Sequence, residues 1–245
     1  MSTINNPIVV SKDDAIRLLD NNPKPVIFWD TCSLLDIIRL PIPDRKQSVD
    51  KLKNVMAIRQ KIESGDIISL ASILTVKEFN DHVGHTQAEV KRAAHRITEE
   101  YNKYLSFVKT ANPAITSPPV DLAAFNLEIS LNDIVQDIAV NTRFIDREDL
   151  FLRNAEARVT GKIPPAKKKG EFKDCYIWST CLAVRQLSQR TCNPYGFMSS
   201  NVRDYAETGK TQFDVDIAAE ATTANINYYA GFDIAFGKLK AEGAL

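Results

Sequence analysis

The sequence predicts an α/β fold: three layers, with helices on both faces of a mainly parallel sheet of about four to five strands. Three observations lead there. Short apolar runs of strand length recur along the chain, separated by longer stretches with helical periodicity. Strands divided by helices pair in parallel through right-handed crossovers. And the run Val26-Ile27-Phe28-Trp29 stops directly on Asp30, with a helix-like stretch over 33–39 behind it. A strand that ends on an acid puts a carboxylate at the carboxyl edge of the sheet, where open α/β sheets bind ligands.

Each element has a local reason. Ser11 followed by Asp14 is a capping-box-like start, and Ala15, Ile16, Leu18 and Leu19 give a short amphipathic helix. Pro23 and Pro25 interrupt the chain before the strand at 26–29. Ser48 can cap a helix carrying Val49, Leu52, Val55, Met56 and Ile62, which stops at Gly65. Ile67 to Leu70 reads as the second strand, and Thr75 with Glu78 as a capping box opening the next helix. The stretch 86–158 reads as helical throughout, broken at Pro113, Pro118 and Pro119. A loop over 161–170 holds Pro164, Pro165 and a lysine run, and a helix follows over about 172–189. Residues 196–199 and 226–230 are the remaining strand candidates, with a terminal helix near 234–240. The expected organisation is one domain over 1–245, with its core at about 25–83 and 160–235 and a helical insertion at about 84–159.

The 245 residues and an ordinary globular composition allow such a domain. No apolar run reaches the ~20 residues of a membrane span, and residues 1–12 do not read as a signal peptide. Cys32, Cys175, Cys181 and Cys192 form no CxxC pair, and His82, His85 and His95 are the only histidines. This argues against a structural zinc site and fits reduced thiols in a cytoplasm. Formal net charge is zero, but the stretch 39–61 carries seven Lys/Arg against two acids, and 143–173 nine against five. These have two readings: solvated faces with a mobile loop, or basic banks for a phosphate backbone using Arg45, Lys46, Lys167, Lys168 and Lys169.

Three further acids occupy places comparable to that of Asp30. Glu78 lies just after the second strand, Asp174 opens the helix behind the lysine loop, and Asp204 follows the third strand. Each also has a purely structural reading as a capping-box member, a charge complementing a helix dipole, or a cap. As a set they face one sheet edge, and several carboxylates that close cannot all ionise without a cation. A hard divalent ion with oxygen ligands resolves this, and such ions activate water against phosphodiesters. The aspartyl-phosphate phosphatase alternative needs a second Asp two residues after Asp30, where Cys32 stands. A Cys32 nucleophile has no histidine nearby in sequence.

The stretch Phe28-Trp29-Asp30-Thr31-Cys32-Ser33-Leu34-Leu35 resembles the first motif of PIN-domain nucleases. Thr75-Val76-Lys77-Glu78 resembles their second, Asp174-Cys175-Tyr176-Ile177-Trp178 their third, and the stretch 197–205, ending in Ser200-Asn201-Val202-Arg203-Asp204-Tyr205, their fourth. The Gly161-x-x-Pro164-Pro165 loop is similar to that of a PIN-like bacterial subgroup with a long helical insertion. The resemblance implies a metal-dependent ribonuclease using Mg²⁺ or Mn²⁺, with Asp30, Glu78, Asp174 and Asp204 as catalytic metal ligands. Ser200, Asn201 and Glu171 would support them. Where many members carry an acid two residues after the Ser, this chain has Val202. The resemblance further implies RNA as partner, with an antitoxin-like protein or a second copy as additional candidates. The alternative it leaves is a catalytically silent module that binds RNA or protein.

Overall fold

The computed structural model describes residues 3–43, 49–167, 171–189, 194–207 and 209–245. Ser48, Cys192, Arg45, Lys46, Lys168 and Lys169 therefore lie outside the described residues. The described chain runs β1 (Ile8–Val10), α1 (Lys12–Asn21), β2 (Val26–Trp29), α2 (Thr31–Ile38), α3 (Val49–Glu63), β3 (Ile68–Ser72) and α4 (Ile73–Ala111). After a 3-10 turn at Leu122–Phe125 come α5 (Leu127–Val140), β4 (Thr142–Ile145), α6 (Asp149–Gly161), α7 (Phe172–Leu187), β5 (Tyr195–Met198), α8 (Val202–Tyr205), α9 (Val215–Ala224), β6 (Asn227–Tyr229) and α10 (Phe232–Ala241).

The strands form one six-stranded sheet in the order β1-β4-β3-β2-β5-β6, every pair parallel. The α/β reading holds, with two strands more than the sequence marked. β4 lies inside the stretch read as helical throughout and pairs with both β1 and β3. β1 is three residues long at the sheet's edge, and Ile8 and Val9 are exposed there. Neither strand carries a periodic signal long enough to stand out from its surroundings.

Alternation along the strands divides the interior into two cores. Val26 and Phe28 face one side with Leu70, Ile145, Phe197 and Tyr228, beneath α1, α6, α7 and α9. Ile27 and Trp29 face the other with Ala71, Phe144, Met198 and Tyr229, beneath α2, α3, α4, α5 and α10. On the first side Trp178 meets Phe197 edge to face, with centroids 5.2 Å apart. Its indole N–H donates to Glu220 Oε2 at 2.8 Å, and Arg158 pairs with the same oxygen. Glu220→Ala leaves a guanidinium that is almost fully buried without its carboxylate. It is expected to cost on the order of 2 kcal/mol, read by chemical denaturation.

Local capping decides where two helices begin. Ser11 caps α1, accepting from the Asp14 N–H at 3.1 Å. The helix carrying Glu78 starts two residues before Thr75: Ser72 is its cap, accepting from the Leu74 N–H at 3.3 Å. Thr75 is thus an interior residue, and Glu78 stands in the second turn rather than in a capping box. From Ser72 the helix continues without a break for 39 residues.

Candidate metal centre

The sheet order reverses around β2, which has β3 on one side and β5 on the other. This is the topological switch point, where a crevice opens beyond the carboxyl ends of the strands. Asp30 stands there, buried, as the N-cap of α2. Its Oδ1 accepts from the Thr31 N–H at 2.9 Å, its Oδ2 accepts from Ser199 Oγ at 2.6 Å, and its own N–H donates to Met198 O at 2.9 Å.

The other acids arrive from separate elements. Glu78 reaches in from α4, and its Oε2 accepts from Thr31 Oγ1 at 2.8 Å. Thr31 therefore links the first two acids, donating to Asp30 through its backbone and to Glu78 through its hydroxyl. Asp174 lies in the first turn of α7; its Oδ2 accepts from Asn201 Nδ2 at 3.4 Å, and its backbone carbonyl accepts from the buried Tyr205 hydroxyl at 3.0 Å. Asp204, in α8, is held by Arg203 through Nη2 at 3.0 Å and Nε at 3.3 Å.

Burial holds the Asp30 carboxyl well above the ordinary carboxylate range, and the Glu78 charge pushes it further. Hydrogen bonds from Ser199 and the Thr31 N–H pull it back. Asp174 is raised by its burial first, then by the charges of Asp30, Glu78, Asp204 and Glu171. Cys32 is pushed far up by burial and by Asp30, Asp174 and Glu78, so its thiol stays protonated and is a poor nucleophile.

The acids predicted from sequence thus act on one another across four elements. Asn201 bonds Asp174, and Glu171 is near enough to perturb it. Ser200 is half-buried, and its carbonyl accepts from the Val202 N–H at 2.8 Å. The hydroxyl that touches an acid belongs to its neighbour Ser199, which also accepts from the Asn201 N–H at 3.2 Å. Sequence reasoning missed Ser199 by one position, and it missed Tyr205 and the Arg203 fork. The Ser-Ser pair at the end of β5 was the available signal. Val202 is exposed and brings no ligand.

Among the described residues no three His, Cys, Asp or Glu side chains stand close enough to form a ready-made ligand set. The donor chemistry nonetheless fits a hard divalent cation: carboxylate oxygens, with the charges of Asp30, Glu78 and Asp204 all bearing on Asp174. The basic banks are less open than their charge count suggests. Arg39 pairs with Asp36 and Glu89, Lys51 with Asp233, Lys53 with Asp50, Arg59 with Glu63 and Asp137, and Lys61 with Asp66. Lys167 lies 3.6 Å from Asp214 and 3.5 Å from Asp216. Among the described residues no helix is long and apolar enough to cross a membrane.

A family model described as PIN domain matches residues 27–205, more than half of the chain and a span that includes all four acids. No curated protein and no solved structure matches the chain. With the switch-point acids on a parallel sheet and a family match across them, the chain belongs to the PIN-domain family.

Proposed function

We propose that the protein is a ribonuclease that hydrolyses RNA phosphodiester bonds with Mg²⁺ or Mn²⁺ at the carboxyl edge of β2. The observation that carries this reading is the gathering of acids at the switch point: Thr31 joins Asp30 to Glu78, and Asp174 is close enough to feel both charges. These three acids are the residues that would hold the ion. When bound, such an ion lowers the pKa of a coordinated water and neutralises charge on a phosphodiester.

The chain's own residues orient this set. Thr31 fixes Glu78 relative to Asp30, Ser199 fixes the Asp30 carboxylate to the end of β5, and Asn201 and Tyr205 tether Asp174. Partners of ligating groups typically matter by 10–100-fold in metal affinity or activity. Ser199→Ala is therefore expected to lower Mn²⁺-dependent cleavage of single-stranded RNA by about 10–100-fold while leaving the unfolding transition near that of the wild type. The assay is gel-resolved cleavage of an end-labelled RNA with Mn²⁺ and with EDTA. Cleavage that persists unchanged in EDTA contradicts the metal-dependent reading.

A second reading, a silent PIN-like module that binds RNA or protein, draws on one observation: among the described residues the acids are not preassembled into a three-ligand set. Absence of both cleavage and metal binding would favour it.

A further inference from the structure

Asp204 differs from the other three acids in what holds it. Its side chain is 1% exposed, yet its partner is the adjacent Arg203, whose side chain is 54% exposed. Both Asp204 oxygens are taken, Oδ1 by Nε and Oδ2 by Nη2. This is the two-pronged fork of a guanidinium on a carboxylate, the geometry that fixes an arginine most firmly. Tyr205, next in the chain, is buried and bonded to the Asp174 carbonyl, so the short helix α8 is pinned against the start of α7. The guanidinium lies close enough to Glu171 and Asp174 to feel both charges. A cation is thereby fixed at the rim of an acidic crevice, with a buried carboxylate beneath it.

An acidic crevice repels the polyanion that the proposed function requires it to admit. A fixed guanidinium at its mouth offsets that repulsion, and its planar donors match the oxygens of a phosphate. We propose that Asp204 serves as the anchor of Arg203 rather than as an ion ligand, and that Arg203 takes a phosphate oxygen of the RNA strand as it enters the acid site. The assignment rests on the ribonuclease reading of that site. Arg203 is a substrate-binding residue in this scheme and Asp204 a positioning residue that acts through it. It also accounts for the fourth motif: the acid there is engaged by a side chain of its own segment.

Two measurements on the full chain test this. The first is binding of a fluorescein-labelled single-stranded RNA in EDTA, where metal-dependent cleavage is off, read by anisotropy over a range of salt. Arg203→Ala is expected to weaken binding by about tenfold and to reduce the salt slope by about one ion. Asp204→Asn is expected to weaken it to a similar degree, Arg203→Lys less, and the double variant no further than either single one. The second is the Mn²⁺-induced rise in unfolding temperature, which both Arg203→Ala and Asp204→Asn should retain. RNA binding by Arg203→Ala equal to that of the wild type overturns the proposal, as does a wild type that binds no RNA in EDTA. Loss of the Mn²⁺ response in Asp204→Asn also overturns it, because Asp204 is then a ligand. A wild type with no Mn²⁺ response contradicts the ribonuclease reading instead, and the EDTA binding series still decides the role of Arg203.

Discussion

Asp30→Asn is expected to lower Mn²⁺-dependent RNA cleavage by about 10³-fold or more and at the same time to stabilise the metal-free protein. The two effects have one cause. Asp30 is fully buried beside Glu78, and its carboxyl is held above the ordinary range by burial first and by that charge. A native state that binds the proton more tightly than the unfolded chain is favoured at low pH. Its contribution falls as pH rises from the unfolded carboxylate value, about 4, through the raised native value. Asp174 acts in the same direction. The contribution of these two groups to metal-free stability therefore declines from about pH 4 upward through neutrality. An asparagine keeps the shape: its oxygen accepts from the Thr31 N–H, and its amide donates to Ser199 Oγ. Without a buried charge to accommodate, the variant should gain on the order of 1–2 kcal/mol over the wild type at pH 8 in EDTA, and little at pH 5. Urea denaturation at the two pH values reads the gain. An Asp30→Asn protein that is less stable than the wild type at pH 8 contradicts this electrostatic account.

Gly196→Ala is expected to be the most damaging small substitution for folding. Gly196 lies in β5 beside β2, and a Cβ built there would stand 1.9 Å from Cε2 and 2.4 Å from Cζ of Tyr229. Tyr229 is fully buried in the core that also holds Met198, Phe232, Ala235 and Leu239, so its ring cannot swing out to solvent without leaving that core. Relief requires shifting β6 away from β5 or displacing the ring from the core. Overpacking of this kind costs about 1–3 kcal/mol where the core can adjust, and more where it cannot. A value of about 3 kcal/mol or more, read by chemical denaturation, is expected, with poor soluble yield. Because β5 leads directly into Ser199 and Asn201, any folded fraction should also cleave RNA more slowly. A Gly196→Ala protein of wild-type stability would show that β6 packs differently from the arrangement described.

Much of this architecture was legible in the sequence, and for identifiable reasons. β2, β3, β5 and β6 are apolar runs with clear flanks, and Asp30 follows the first of them directly. Asp174 falls at a helix start because the proline- and lysine-rich loop before it marks the boundary. What stayed hidden depended on distance or on a single position. β1 is a three-residue edge strand, and β4, embedded between helices, is recognisable as a strand only through β3 and β1 on either side of it. The sequence pattern places the start of α4 at Thr75, whereas Ser72, three residues earlier, is its cap. Ser199 and Ser200 differ by one residue at the end of a strand, where one step reverses the side chain's face. The basic stretch at 39–61 looked unopposed because the partners of Arg39, Lys51 and Arg59 include Glu89, Asp233 and Asp137 on other helices. Local charge counting cannot see partners that folding brings together.

The central claim is that the acids around Asp30 form a divalent-cation site. It is tested most directly by following the unfolding temperature at pH 8 as Mn²⁺ is added to the wild type, Asp30→Asn and Asp174→Asn. Ligand at a hundredfold excess over its dissociation constant stabilises by about 2.7 kcal/mol, which in a chain of this length is a rise of about 5–10 °C. The wild type is expected to show that saturable rise and both variants to lose it. A flat wild-type curve, or variants that rise as much as the wild type, would contradict the assignment.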